Sequence, residues 1–459
     1  MVQLERLFNP SSVAVVGASN DARKTGNRYV KNLSGGAFKG SLYPVNPGEP
    51  EILGMKSYPR VIDIPGEVDL AIVVVPARFV PEVIGDCVRK GVQFAVVHTA
   101  GFAELGTEGA KLQAQMLEQI RRGPTRVIGP NCMGIYSPLA GINTVAPVPA
   151  AREDTGPVAF VGQSGWVTEN VLEMGYQRGL RFSKAVSIGN QSDLTIEDML
   201  EYFGNEDDIR VIGFYIEGIK RGRELLRLAG EVSRKKAVVV WKAGRSEGGA
   251  RATMSHTGSI AGDGAVADAA LRQGGMAVAG NLEELIDLMV GFVSPVLPAG
   301  NTLGLLVEAG GGAVASADTA DALGLRLPVL SEKTQRELAD TMKPVLPPFA
   351  PPRNPVDIVW GPAGDRQGFL VKCSRAILRE VDSLLMIDYG AFDDEFASAL
   401  AALRDETGKT ILIIPGHPLD DPEGMSRMTR HGIPAFTIPE RALSTLAAMV
   451  RCSRYRSAV

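Results

Sequence analysis

The 459-residue chain reads as an α/β protein of three consecutive domains, each built on a parallel sheet. Three observations predict this. The same opening recurs at equal spacing, as VAVVGAS from Val13, VAFVGQSG from Val158 and LGLLVEAGGG from Leu303. Each is an apolar run ending in a small-residue turn and followed by an amphipathic stretch, which is how a βα unit begins. Between the openings lie unbroken Val/Ile/Leu runs, and their lack of alternation fits strands covered on both faces. The length itself allows about three domains of roughly 150 residues.

In the first block, VAVVG, VDLAIVVV (68–75) and GVQFAVVHTA (91–100) are expected strands, with NRYVKNL an expected helix. The second block supplies VAFVG, IRVIGFYIEGI (209–219) and KKAVVVWKAG, with VTENVLEMGY as a helix. The third supplies LGLLV, NPVDIV (354–359), VDSLLMIDYG (381–390) and KTILIIPG (409–416), with AVASADTADALGL as a helix. Turn-rich stretches at 137–156 and 293–301 mark the junctions, giving expected domains at 1–136, 150–293 and 301–459.

A formal charge of −4, with 45% hydrophobic and 22% charged residues, describes ordinary globular material and gives no reason to expect a nucleic-acid partner. Cys87, Cys132, Cys373 and Cys452 form no C-x-x-C pair, so neither a disulfide framework nor a metal site is expected, and reduced thiols in a cytoplasm are the simplest reading. The charged N-terminus before a short strand resembles neither a signal peptide nor a membrane span. Cys132 reads as a small buried filler, and His98, His417 and His431 as loop or core residues.

The loops beyond the carboxyl ends of the strands are where an open parallel sheet binds ligands. After the first strand come Gly17, Ala18 and Ser19, then Lys24 before a helix, a turn suited to a phosphate. The dinucleotide fingerprint is not met, because Ser19 replaces the second glycine and Asn46 stands where an NAD enzyme places its ribose-binding acid. Val75, Pro76 and the GPNCMGI stretch at 129–135, with Asn131, form further edge loops. In the second block Gln163, Ser164 and Gly165 precede a helix and offer another cradle. His256 lies in RSEGGARATMSHTGSIAGDG, among glycines that allow close backbone approach. Its imidazole could carry a phosphoryl group between two half-reactions. Glu217 ends an apolar strand, and there its carboxylate could hold one imidazole nitrogen while the other attacks.

These motifs together resemble the NDP-forming acyl-CoA synthetases, relatives of succinyl-CoA synthetase, over nearly the whole chain. The likeness implies a Rossmann-like CoA-binding domain followed by two flavodoxin-like domains, and a reaction through an acyl phosphate and a phosphohistidine. It implies His256 as the phosphorylated residue and Glu217 as its partner. Gln163, Ser164, Gly165, Ser255, Thr257 and Gly258 would bind phosphate. Gly17, Ala18, Ser19, Lys24, Asn46, Val75, Pro76 and Asn131 would contact CoA. Family members take ATP or ADP with Mg on an ATP-grasp module, for which three assigned domains leave no room, so an α-type subunit with an ATP-grasp β-type partner, in an oligomer, is expected. A small carboxylic acid and its acyl-CoA are the implied substrates. Two departures, Gly162 before Gln163 and bulky Trp166 after Gly165, bear on the acyl group accepted. The competing reading is a non-catalytic CoA-binding regulatory module, which the retained His256 and Glu217 disfavour; a dehydrogenase ranks third.

Overall fold

The computed structural model describes residues 4–257, 264–348, 350, 352–359, 361–362, 364–417 and 421–458. The chain divides into two compact units, Met1–Glu173 with Arg181–Leu282, and Met174–Leu180 with Glu283–Val459.

The first unit contains two large sheets. In one, β1 (Ser12–Val16), β2 (Ser41–Val45), β3 (Leu70–Val73), β4 (Phe94–Val97) and β5 (Arg126–Ile128) lie in the order β2-β1-β3-β4-β5, all parallel. In the other, β6 (Gly134–Ser137), β7 (Ile142–Asn143), β8 (Val158–Gly162), β9 (Phe182–Ser187), β10 (Val211–Ile216), β11 (Ala237–Lys242) and β12 (Ala277–Ala279) lie in the order β12-β11-β10-β8-β9-β6-β7. The five core strands β8 to β12 are parallel; β8, β10 and β11 are the apolar runs marked in the sequence, β9 and β12 were not marked, and β6 and β7 form an antiparallel edge. This edge straddles the expected boundary: β6 begins inside the expected first domain, in the GPNCMGI stretch expected to be an edge loop, and β7 lies in the expected junction. Two short strands without a Val/Ile/Leu run give no period to read, yet Ile135 and Tyr136 are buried and β6 pairs with β9.

β1, β8 and β10 are buried along their whole length. Each fully buried Val, Ile or Phe contributes about 1.5–3 kcal/mol. One continuous core joins the two sheets, running from Val13, Val15 and Ile128 to Val161, Phe214 and Val240.

The second unit carries β13 (Leu303–Val307), β14 (Val356–Asp357), β15 (Ser383–Asp388) and β16 (Thr410–Pro415) in the parallel order β14-β13-β15-β16. Its own core centres on Leu306, Ile377, Met386 and Ile411.

All three sheets share one topological device. The chain moves to one side after the first strand of each parallel set, then returns to the other side. This leaves a switch point between β1 and β3, between β8 and β10, and between β13 and β15, where the loops diverge and open a crevice. Among the described residues no helix is long and apolar enough to cross a membrane.

Candidate active site

At the first switch point β1 runs through Gly17 into the helix Thr25–Gly35. Gly17 has φ +94°, and a Cβ on Gly26 would fall 2.1 Å from the Gly17 carbonyl oxygen, so helix and turn touch backbone to backbone. Ala18 and Ser19 are buried, while Lys24 is exposed just before the helix. Asn46 closes the turn: its Nδ2 donates to the Ala18 carbonyl at 2.7 Å and its Oδ1 accepts from Gly48 N–H at 2.8 Å. A carboxylate could not make the first bond. Glu49, which the motif reading passed over, accepts from Ser19 Oγ at 3.1 Å and from Asn20 N–H at 3.1 Å. The Asn20 N–H holds its carboxyl below the usual carboxylate range. The signal for it was present, three residues beyond Asn46 on the same loop.

Val75 is half-buried, its carbonyl accepting from Thr99 Oγ1 at 2.6 Å, and Pro76 is exposed. Asn131 adopts φ +58°, and its N–H donates to Thr99 O at 3.0 Å. Cys132 is buried, and burial pushes its thiol up to about 12. His98 shares a 2.9 Å hydrogen bond with Tyr29 Oη, and burial lowers its pKa.

At the second switch point Gln163 follows β8 and Glu217 follows β10. Gln163 is buried and its Oε1 accepts from the N–H groups of both Glu217 and, at 2.9 Å, Gly218. The amide therefore sets the backbone of the neighbouring turn. Ser164 accepts at its carbonyl from Thr168 Oγ1 at 2.7 Å, and the helix Gly165–Gln177 begins beside it. A Cβ on Gly165 would meet Met133 Sδ at 2.7 Å, so only glycine fits there without displacing Met133. Trp166, next along, is 63% exposed.

Glu217 is 4% exposed and its Oε1 accepts from Tyr215 Oη at 3.2 Å. Burial raises the Tyr215 phenol, and the Glu217 charge raises it further, so the hydroxyl stays a donor. Lys242 Nζ donates to the Glu217 carbonyl at 2.9 Å. Arg221 ends the same turn, pairing with Asp198 at 2.9 Å and donating its N–H to the fully buried Glu197 at 2.9 Å.

The two edges interlock within the first unit. Ser192, in the loop after β9, donates from Oγ to Gly129 O at 2.8 Å, and Asn190 N–H donates to Pro130 O at 3.0 Å. Asn190 Nδ2 also donates to Glu104 Oε2 at 2.6 Å. Burial raises the Glu104 carboxyl, but bonds from Asn190 and from the Gly101 and Phe102 N–H groups outweigh it and leave the pKa lowered. The turn Ala103–Leu105 packs against the helix Glu247–Thr257. Ser255, His256 and Thr257 fall in the last turn of that helix. Their side chains, and Gly258, lie outside the described residues. The structure thus brings Gln163, Ser164, Gly165 and Glu217 to one edge, with the first-sheet turns beside them.

Residues 11–138 match the CoA binding domain family and residues 155–292 match the succinyl-CoA ligase like flavodoxin domain family. The alpha subunit of ADP-forming acetate–CoA ligase II from Pyrococcus furiosus is 37% identical over 98% of this chain and 97% of its own length. The chain belongs to the NDP-forming acyl-CoA synthetases. Another Pyrococcus furiosus alpha subunit, that of ADP-forming acetate–CoA ligase I, is 36% identical over 99% of both chains. The ADP-forming acetate–CoA ligase I of Archaeoglobus fulgidus is 40% identical over 98% of this chain, which spans 64% of that longer protein. Among solved structures, acetyl-coenzyme A synthetase 1 of Ca. Korarchaeum cryptofilum, in complex with phosphate and ADP, superposes with a TM-score of 0.85 at 35% identity, covering 99% of this chain and 98% of that one. In this family of acid–CoA ligases the chain corresponds to the alpha-type part, and a ligase is favoured over a regulatory module.

The third switch point, in the second unit, carries Glu308 and Asp388 around Arg366. Arg366 Nε donates to Asp388 at 2.9 Å, and Tyr389 N–H donates to Glu308 at 2.9 Å. Burial raises the Asp388 carboxyl against the opposing pull of Arg366.

Proposed function

We propose that this chain is the alpha-type subunit that interconverts acyl-CoA, phosphate and ADP with a small carboxylic acid, CoA and ATP, through an acyl phosphate and phosphorylated His256. The observation that carries this reading is Glu217. It is a buried carboxylate at the β8/β10 switch point, fixed through its backbone by Gln163 and at its oxygen by Tyr215, on the sheet whose next strand leads into the histidine's helix.

In the first half-reaction phosphate attacks the thioester, and CoA leaves as its thiol. An imidazole nitrogen of His256 then bonds to phosphorus while the P–O bond to the acyl group breaks, the carboxylate leaving with the electron pair; in the second half-reaction the N–P bond breaks as the phosphoryl group passes to an ADP oxygen, giving ATP and the free imidazole. Glu217 holds the proton on the other imidazole nitrogen and stabilises the ring's positive charge. Phosphoryl transfer needs mainly positioning and charge neutralisation. The helix start at Ser164 and Gly165 supplies N–H groups for that, beside Gln163, whose own N–H is given to the Tyr215 carbonyl at 3.1 Å, with Ser255, Thr257 and Gly258 on the histidine side. Gly17, Ala18, Ser19, Lys24, Asn46, Val75, Pro76 and Asn131 hold CoA, within a domain of residues 1–136 followed by domains at 150–293 and 301–459.

ATP or ADP, with Mg, binds an ATP-grasp β-type partner, and no step on this chain's residues runs through that ion. The alpha-subunit names of the relatives, and the extra length of the Archaeoglobus fulgidus protein, support a partner. The setting is cytoplasmic. Calorimetry and activity assays test the reading together: the chain alone binds CoA but forms no acyl-CoA from acid, CoA and ATP, and a cognate ATP-grasp subunit restores turnover. Enzyme-like turnover by the chain alone would overturn the subunit assignment.

A further inference from the structure

Lys242 is the last residue of β11, in register with Ile216 at the end of β10, and only 7% exposed. Its ammonium donates to two main-chain oxygens, those of Glu217 (2.9 Å) and Ala243. Both acceptors are neutral, so neither matches the charge. Burying an ammonium on carbonyl oxygens alone is unfavourable unless a negative charge stands near. Glu217 is that charge: burial lowers the Lys242 pKa, the Glu217 carboxylate opposes the loss of the proton, Arg245 favours it and Asp268 opposes it. Tyr215 meets the same carboxylate from β10, so among the described residues the charged and titratable groups facing this point are Glu217, Tyr215, Arg245 and Asp268.

The position has a consequence for a phosphoryl site. A carboxylate that must accept a proton-bearing imidazole is useful only while ionised and held still, and an arriving phosphoryl group brings negative charge that opposes ionisation. We propose that Lys242 is a positioning residue of this site. Its buried ammonium ties the ends of β10 and β11 together and, through the Glu217 carbonyl, holds Glu217 in place as the phosphoryl group approaches. The inference rests on the reading of His256 as the phosphorylated residue.

The test compares the full chain with Lys242→Met and Lys242→Arg, following phosphohistidine formation from radiolabelled acyl phosphate between about pH 5 and pH 9. Lys242→Met is expected to lose roughly tenfold or more in maximal labelling rate, with the acyl-phosphate concentration for half-maximal rate unchanged. Lys242→Arg keeps the charge and a donor for the Glu217 carbonyl and recovers most of the rate. A folded Lys242→Met that is labelled at the unmodified protein's rate, with only a lower melting temperature, overturns the inference and leaves the phosphohistidine reading standing. A second measurement needs no change at Lys242. The Nζ titration, followed by NMR in the protein and in Glu217→Gln, should move to lower pH when the carboxylate is removed. An unmoved titration overturns the inference by itself. No label on the unmodified protein removes the phosphohistidine reading, and the proposed role of Lys242 with it.

Discussion

Gln163 and Glu217 are joined side chain to main chain across the β8/β10 switch point, Gln163 Oε1 taking the N–H of Glu217 and, at 2.9 Å, that of Gly218. A motif that looks like a phosphate cradle is therefore also the brace of the carboxylate opposite. Gln163→Leu leaves two N–H groups without their acceptor, at about 1–3 kcal/mol each. We expect a lowered melting temperature together with slower histidine phosphorylation. A variant as stable and as active as the unmodified protein would show that the brace is dispensable.

Glu217→Gln keeps the shape and the capacity to accept from Tyr215 while removing the charge. Phosphorylation of the histidine should slow by roughly 100-fold, the scale of a lost acid–base partner, with little change in melting temperature. Single-turnover labelling and thermal unfolding together check this. Equal losses in both would mark Glu217 as structural.

Asn46→Asp removes the donor to Ala18 O and sets a second carboxylate beside Glu49, 3.3 Å from Asn46 Nδ2. CoA affinity should fall by roughly tenfold or more, the worth of one lost bond of about 1–3 kcal/mol, as titration calorimetry would read it. Unchanged affinity would place CoA away from this turn.

The strands built on unbroken Val/Ile/Leu runs were legible because such runs carry their own signal, and Glu217 was legible because it ends one; β9, with Lys184 in its middle, and the three-residue β12 carry no such run and were not marked. The loops were legible as places, not as partnerships: nothing in the sequence near Gln163 points to Gly218, and Glu49 was passed over three residues from Asn46. The edge strands β6 and β7 were missed because four and two residues give no period. Nor did any local signal show that Met174–Leu180, at the end of a helix that starts in the first unit, packs with the second.

Burial pushes the thiols of Cys87, Cys132 and Cys373 up to about 12 and that of Cys452 to about 11. Against the ordinary value of 9.0, a rise to about 12 leaves roughly a thousandfold less thiolate at pH 8. Iodoacetamide at pH 8 should leave these four cysteines unmodified in the folded protein and alkylate all of them in denaturant, as read by mass spectrometry. Rapid alkylation of Cys132 in the folded protein would contradict the burial.

Trp166, at 63% exposure, is not a core residue. Trp166→Ala should change stability by less than about 0.5 kcal/mol, the usual range for surface substitutions, while reordering the preference among acids of different size and leaving CoA affinity intact. The same ranking of acids in a folded variant would remove Trp166 from the acyl site.

The central claim is that His256 carries the phosphoryl group between two half-reactions. Incubating the chain with radiolabelled acyl phosphate and mapping the label tests it directly. The account predicts an acid-labile, base-stable adduct on the peptide containing His256, absent from His256→Asn; label that persists in His256→Asn would place the carrier elsewhere and contradict the account.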